Sequence, residues 1–190
     1  MDIIFYDERI RDEVIIQLKP VKGKTAADIG ADTGFMSEGL INAGLKVLAL
    51  DSSPAAINFL KEKFRDIGEF GAVLTGPEDI NLGDESVDYT SGYLSLQQAL
   101  HPAEQIKEMF RILKHGGKAA VIDFLKSGTS DTASGTESAV KSFSFPDIYA
   151  WFINAGFRNV SIEKADQPVI YTDSSGAETR ADIFIAHGEK

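Results

Sequence analysis

The sequence predicts an α/β fold: a Rossmann-like, doubly wound, seven-stranded sheet, mainly parallel, with an antiparallel last strand. Three observations point there. Short apolar runs alternate with helically spaced apolar residues through most of the chain. Two strand-like runs follow one another at the C-terminal end. A glycine-rich stretch, Asp28 to Gly34, separates the first strand from the helix after it.

Taken in order, Asp7 caps a first helix, with Ile10, Val14 and Leu18 on one face and Pro20 as its stop. Thr25 to Gly30 is a short buried strand, and Phe35 to Ala43 is a helix closed by Gly44. Lys46 to Asp51 is the second strand. Ser53 caps the next helix and Pro54 takes its first position, where a missing N–H costs nothing. Ile57, Leu60 and Phe64 mark that helix's buried face. Phe70 to Thr75 and Val87 to Tyr93 are the third and fourth strands. Pro102 opens a helix whose stripe Ile106, Met109, Phe110 and Leu113 belongs to the core. Lys118 to Phe124 is the fifth strand, and Lys126 to Ser142 reads as a mobile Ser/Thr/Gly-rich loop. Asp147 to Ala155 is a helix ended by Gly156. Val160 to Glu163 and Asp182 to Ala186 are the last strands, joined through a polar stretch around Asp173 to Gly176. With no repeat and no linker, residues 1–190 are expected to form a single domain. In such a sheet the loops after Gly30, Asp51, Thr75 and Tyr93 face one crevice at the carboxyl ends of the strands.

Composition removes several function classes. The 29 acidic against 19 basic residues give a formal charge of -10, which repels a phosphate backbone and disfavours a nucleic-acid partner. No apolar run is long enough to cross a bilayer, and Met1 to Pro20 lacks the apolar centre of a signal peptide, so cytoplasmic residence is expected. Cysteine is absent and the three histidines are scattered, so no metal site is expected. There is no Gly-x-Ser-x-Gly elbow for a hydrolase nucleophile and no lysine after the glycine loop for an NTPase. The oligomeric state is not written in the sequence.

The chemistry-bearing pattern is the run Asp28-Ile29-Gly30-Ala31-Asp32-Thr33-Gly34 followed by a strand ending in Asp51. Glycines let backbone turn tightly beneath a ligand, and the next helix N-terminus presents N–H groups to an anion. An acid closing the second strand accepts hydrogen bonds from ribose hydroxyls. Taken alone, the glycines fit an ordinary turn and Asp51 an ordinary helix-start acid. Paired, they fit a nucleoside site.

These residues resemble the class I S-adenosylmethionine-dependent methyltransferases, in the branch similar to ubiquinone/menaquinone-biosynthesis methyltransferases. AADIGADTGF resembles the family's acid and Gly-x-Gly-x-Gly turn, with Asp32 replacing the middle glycine. VLALDSSPAAINFLKEKF resembles its second-strand acid and helix. Asp84 to Asp88 resembles its acidic turn. Glu108 to Gly117 resembles Glu-x-x-Arg-x-Leu-Lys-Pro-Gly-Gly, with His115 for Pro, and Ala155-Gly156-Phe157 resembles the segment before its sixth strand. The resemblance implies a methyl donor, S-adenosylmethionine, held by Asp28, Gly30, Ala31, Asp32, Gly34, Asp51 and Ser52, with Tyr93 and Gln97 beside the transferred methyl. It implies methyl transfer to a small-molecule or protein acceptor.

Two positions depart from the pattern. The family reads adenine with Gly-Asp-Ala, where this chain has Thr75-Gly76-Pro77, lacking both the carboxylate and the N–H. Glu78 or Asp79 is expected to substitute; the plainer reading is that both are solvated loop charges. Where many relatives carry two adjacent histidines, this chain has Gln97-Gln98, and glutamine is no general base. A non-catalytic binding or scaffold member of the fold is therefore the competing reading. A nicotinamide dinucleotide protein is a third, opposed by the Leu-Lys-His-Gly-Gly turn and the paired final strands. Catalytic residues are not identified.

Overall fold

The computed structural model describes residues 7–126, 141–166, 168–172 and 178–190. Most of the expected Lys126 to Ser142 loop, and the stretch around Asp173 to Gly176, lie outside the described residues.

Helix α1 spans Glu8–Leu18, with the Asp7 carboxylate accepting from the Arg9 N–H at 2.9 Å. Strand β1, Thr25–Ile29, leads to α2, Phe35–Asn42. Strand β2 is Lys46–Asp51, as the sequence predicts, and α3 is Pro54–Lys63 with the Ser53 hydroxyl accepting from the Ala56 N–H. Then come β3, Phe70–Leu74, and β4, Val87–Tyr93. Helix α4, Pro102–Ile112, runs straight into β5, Leu113–Phe124, and α5 covers Phe145–Ala155. Strand β6, Arg158–Lys164, is followed by β7, Val169–Thr172, β8, Glu178–Ala181, and β9, Ile183–Glu189.

Seven strands form one sheet in the order β3-β2-β1-β4-β5-β9-β6. β9 runs antiparallel to both its neighbours, and the other adjacent pairs are parallel. The chain fills β1, β2 and β3 outward on one side, then crosses to β4 on the other, so the strand order switches at β1. Alternation of side chains along the strands sends α1 and α2 to one face, where Val14, Leu18, Met36 and Leu40 meet Val47, Tyr89 and Ile122. α3 packs on Ala49 through Ile57 and Leu60. The opposite face carries α4 and α5, through Ile106, Met109, Ile148 and Phe152.

Two elements differ from expectation. The Pro168 to Ala181 connection contains an additional antiparallel hairpin, β7 with β8, whose Val169 is buried in the α1 face. β5 begins five residues early, because Lys114 to Gly117 is an outward bulge: β4 advances from Val87 to Tyr89 while β5 advances from Leu113 to Lys118. Gly116 and Gly117 exchange backbone bonds with Lys190 there. Leu113, expected on the α4 stripe, is consequently buried as a strand residue.

Candidate functional site

The adjacent strand ends β2, β1 and β4 bring Asp51, the Asp28 to Gly34 turn and Tyr93 to one edge of the sheet. The turn is wound through three left-handed residues: Gly30 at φ 70, Asp32 at φ 46 and Gly34 at φ 79. Aspartate tolerates this region better than most residues, so the replaced middle glycine keeps the turn. Asp51 fastens it. Its Oδ2 accepts from the Asp32 N–H at 2.9 Å and its Oδ1 from the Ser53 N–H at 2.8 Å. A carboxylate has about four acceptor positions, so each oxygen keeps one for a further donor. Ser52 is exposed beside it.

Asp28 lies below this surface. It is 1% exposed, with Oδ2 accepting from the Ser37 hydroxyl at 2.6 Å and Oδ1 from the Ser91 hydroxyl at 3.2 Å. It braces β1 against α2 and β4. Burial raises its pKa to about 6, and the two serine hydroxyls oppose the rise. The folded protein thus holds a proton that the unfolded chain has already released. As pH climbs from 3.8 to about 6, this group's contribution to stability falls. The difference between wild-type and Asp28→Asn melting temperatures is expected to shift against the wild type across that window. A difference independent of pH would remove Asp28 as the titrating group.

Ala31 is buried, its N–H bonded to the Leu50 carbonyl at 3.0 Å. Gly34 is the uncapped start of α2, and a Cβ there would lie 2.6 Å from Phe64. A Cβ on Gly30 would lie 2.9 Å from the Cβ of Ser95, in the loop after β4. That loop is itself tightly built. Leu94 leaves β4 at φ 54, a region a bulky residue occupies only under constraint. Its N–H reaches the Ile122 carbonyl, and Ser95 accepts from the buried Gln105 amide at 2.7 Å. Asp123, fully buried, accepts from the Gln97 N–H at 3.1 Å and its neighbour Phe124 N–H at 2.8 Å. Burial raises the Asp123 pKa to about 7. Sequence reasoning did not select Asp123; a lone acid in an apolar strand, VIDF, was the available signal. Tyr93 is half-buried and meets Phe35 edge-on at 5.2 Å.

After β3, Gly76 and Asp79 bridge to each other across a tight turn. Thr75 Oγ donates to the Asp79 carbonyl at 2.8 Å and accepts from the Asn81 N–H at 2.9 Å. Glu78 Oε1 accepts from the His101 N–H at 2.8 Å, which ties this turn to the start of α4. Asp79 is exposed. A Cβ on Gly76 would meet nothing within 4 Å. Among the described residues no group of three or more His, Cys, Asp or Glu is placed to hold a metal, and no helix is long and apolar enough to cross a membrane.

Compared with known proteins, residues 27–121 match the family described as "Methyltransferase domain". An uncharacterised methyltransferase from Mycobacterium bovis is 33% identical over 113 residues, covering 58% of this chain and 44% of that protein. The demethylmenaquinone methyltransferase of Renibacterium salmoninarum is 32% identical over 116 residues, covering 61% of this chain and 48% of that protein. The chain thus spans about half the length of these curated relatives. A solved structure of Haemonchus contortus phosphoethanolamine N-methyltransferase 2, in complex with S-adenosyl-L-methionine, superposes with a TM-score of 0.80 at 14% identity. It covers 96% of this chain and 52% of that one, and carries the likeness of fold.

Proposed function

The chain belongs to the methyltransferase-domain family, and we propose that it binds S-adenosylmethionine at the β2-β1-β4 edge and transfers the methyl group to a small-molecule or protein acceptor. The observation that carries this reading is the coupling of the Asp28 to Gly34 turn to Asp51, through the Asp32 N–H. One residue offers acceptor positions to a ribose and fixes the loop beside it.

The residues fit the cofactor at two of its three parts. The remaining acceptor positions of Asp51 suit the ribose hydroxyls. The left-handed turn and the α2 N-terminus suit the amino-acid end. At the adenine, Gly76 supplies no carboxylate, and one oxygen of Glu78 already serves His101, leaving its second oxygen and Asp79 as the candidate readers. When bound, the cofactor supplies an activated methyl group, so no base is required of the protein for a good nucleophile. What the chain supplies is alignment and exclusion of water. Tyr93 against Phe35 walls the methyl side, and Asp123 fixes the backbone that carries Gln97. The charge of -10 favours a small-molecule or protein acceptor over a nucleic acid, and cytoplasmic residence belongs to the same reading.

A specific observation keeps a second reading beside it. Gly76-Pro77 and Gln97-Gln98 remove the family's adenine reader and its histidine pair, which suits a binding or scaffold protein that does not turn over. Gly76→Asp tests the first. Open space surrounds the position and its φ is not positive, so the new carboxylate is accommodated. Calorimetry is expected to show S-adenosylmethionine binding tightened by roughly 1–2 kcal/mol, about five- to thirtyfold. Unchanged affinity would place the adenine away from this turn.

A further inference from the structure

We propose that Arg11 of α1 is a cofactor-binding residue that holds the α-carboxylate of S-adenosylmethionine, together with the N-terminus of α2. The inference rests on the reading above and names a contact within the same site.

Arg11 is 6% exposed, although it lies on the first turns of a surface helix. Its Nε donates to the exposed Asp12 carboxylate at 2.8 Å. Its Nη1 stands 3.9 Å from Glu8, beyond hydrogen-bonding reach, and neither Nη group makes a hydrogen bond to a described residue. A guanidinium carries five N–H donors, so the Nη groups keep donors available to a ligand.

The surroundings are shaped for this side chain. Gly39 on α2 leaves the space it fills, since a Cβ there would lie 2.8 Å from the Arg11 Cδ and Nε. The guanidinium stacks over Phe35 with Cζ 4.7 Å from the ring centroid. Phe35 is the first residue of α2, directly after Gly34, which makes no side-chain cap. The cation therefore lies beside the first turns of α2, between the Phe35 ring and Gly39, and the cofactor's amino-acid end is proposed to lie at the start of that helix. A planar fork of donors beside a positive helix end matches a carboxylate. Phe35 also touches Tyr93 edge-on, so Arg11 and the methyl-side wall share one ring.

The test compares S-adenosylmethionine with its decarboxylated analogue, which keeps adenosine and sulfonium but lacks the carboxylate. Both are titrated by calorimetry into wild type, Arg11→Met and Arg11→Lys. Methionine keeps the apolar stem against Gly39 and removes the charge. Wild type is expected to favour S-adenosylmethionine by about tenfold, one charged hydrogen bond. Arg11→Met is expected to lose that preference by weakening only the carboxylate-bearing ligand, and Arg11→Lys to keep part of it. Without ligand, Arg11→Met is expected to melt no lower than wild type, because an incompletely paired buried charge has been removed. Equal weakening of both ligands, or an unchanged preference, would overturn the assignment while leaving S-adenosylmethionine binding intact. Failure of wild type to bind either ligand would overturn the functional reading, and Arg11's role with it.

Discussion

Replacing Asp51 by alanine is expected to weaken S-adenosylmethionine binding by roughly 1.5–3 kcal/mol, about ten- to more than a hundredfold. The size follows from two roles in one carboxylate. It offers the remaining acceptor positions to the ribose, and it anchors the Asp32 and Ser53 N–H groups at 2.9 and 2.8 Å. Losing the first removes charged hydrogen bonds to the ligand. Losing the second removes the side-chain anchor of the left-handed Asp32, at φ 46. Asp51→Asn separates the roles: its carbonyl still accepts one N–H, while its amide faces the other donors. It is expected to fall between alanine and wild type in calorimetric titrations. An alanine variant that binds as tightly as wild type would take Asp51 out of the site.

The second large effect is on stability. Gly34→Ala places a methyl 2.6 Å from Phe64 Cε2 and 2.8 Å from Leu60 Cδ2, at a residue with φ 79. The left-handed conformation costs roughly 1–2 kcal/mol for a residue with a Cβ. Overpacking against two buried side chains, Leu60 of α3 and Phe64 at its C-cap, adds roughly 1–3 kcal/mol. Thermal unfolding is expected to show a drop of roughly 5–15 °C for a chain of this size. Gly23→Ala is the control, since Gly23 has φ 81 but nothing within 4 Å of its added Cβ. It is expected to show the conformational cost alone. Equal losses in the two variants would mean that the α2–α3 contact contributes nothing at Gly34.

Much of this architecture was legible because local signals agreed with the global fold. Lys46 to Asp51 is apolar up to its final acid and bounded by Gly44 and Ser52-Ser53, so its limits were readable. Ser53-Pro54 likewise marked the start of α3. The β7-β8 hairpin escaped because Val169 to Thr172 is short and lies in a polar stretch, and its burial depends on α1, a partner distant in sequence. The bulge at Lys114 to Gly117 read as a turn because only the pairing partners, Val87 and Lys190, reveal it as strand.

The candidate site was legible as a set of backbone turns, and less so as side-chain roles. Asp28 and Gly34 were selected for the ligand, yet one is enclosed by two serines and the other is required by Phe64. Sequence spacing does not distinguish a residue beneath a turn from one upon it. Glu78 was expected at the adenine, and its partner His101, 23 positions onward, is a tertiary contact that no local pattern encodes. Arg11 did leave a trace. With Val14, Ile15 and Leu18 it follows helical spacing along the buried face of α1, so a cation stood where an apolar residue was due.

On the proposed function, this edge of the sheet recognises an adenosyl sulfonium cofactor. Calorimetric titration of the purified chain with S-adenosylmethionine, S-adenosylhomocysteine and NAD tests it most directly. Saturable binding of the first two at one site per chain, with no heat of binding from NAD, is the result expected. Binding of NAD without S-adenosylmethionine, or of none of the three, would contradict it.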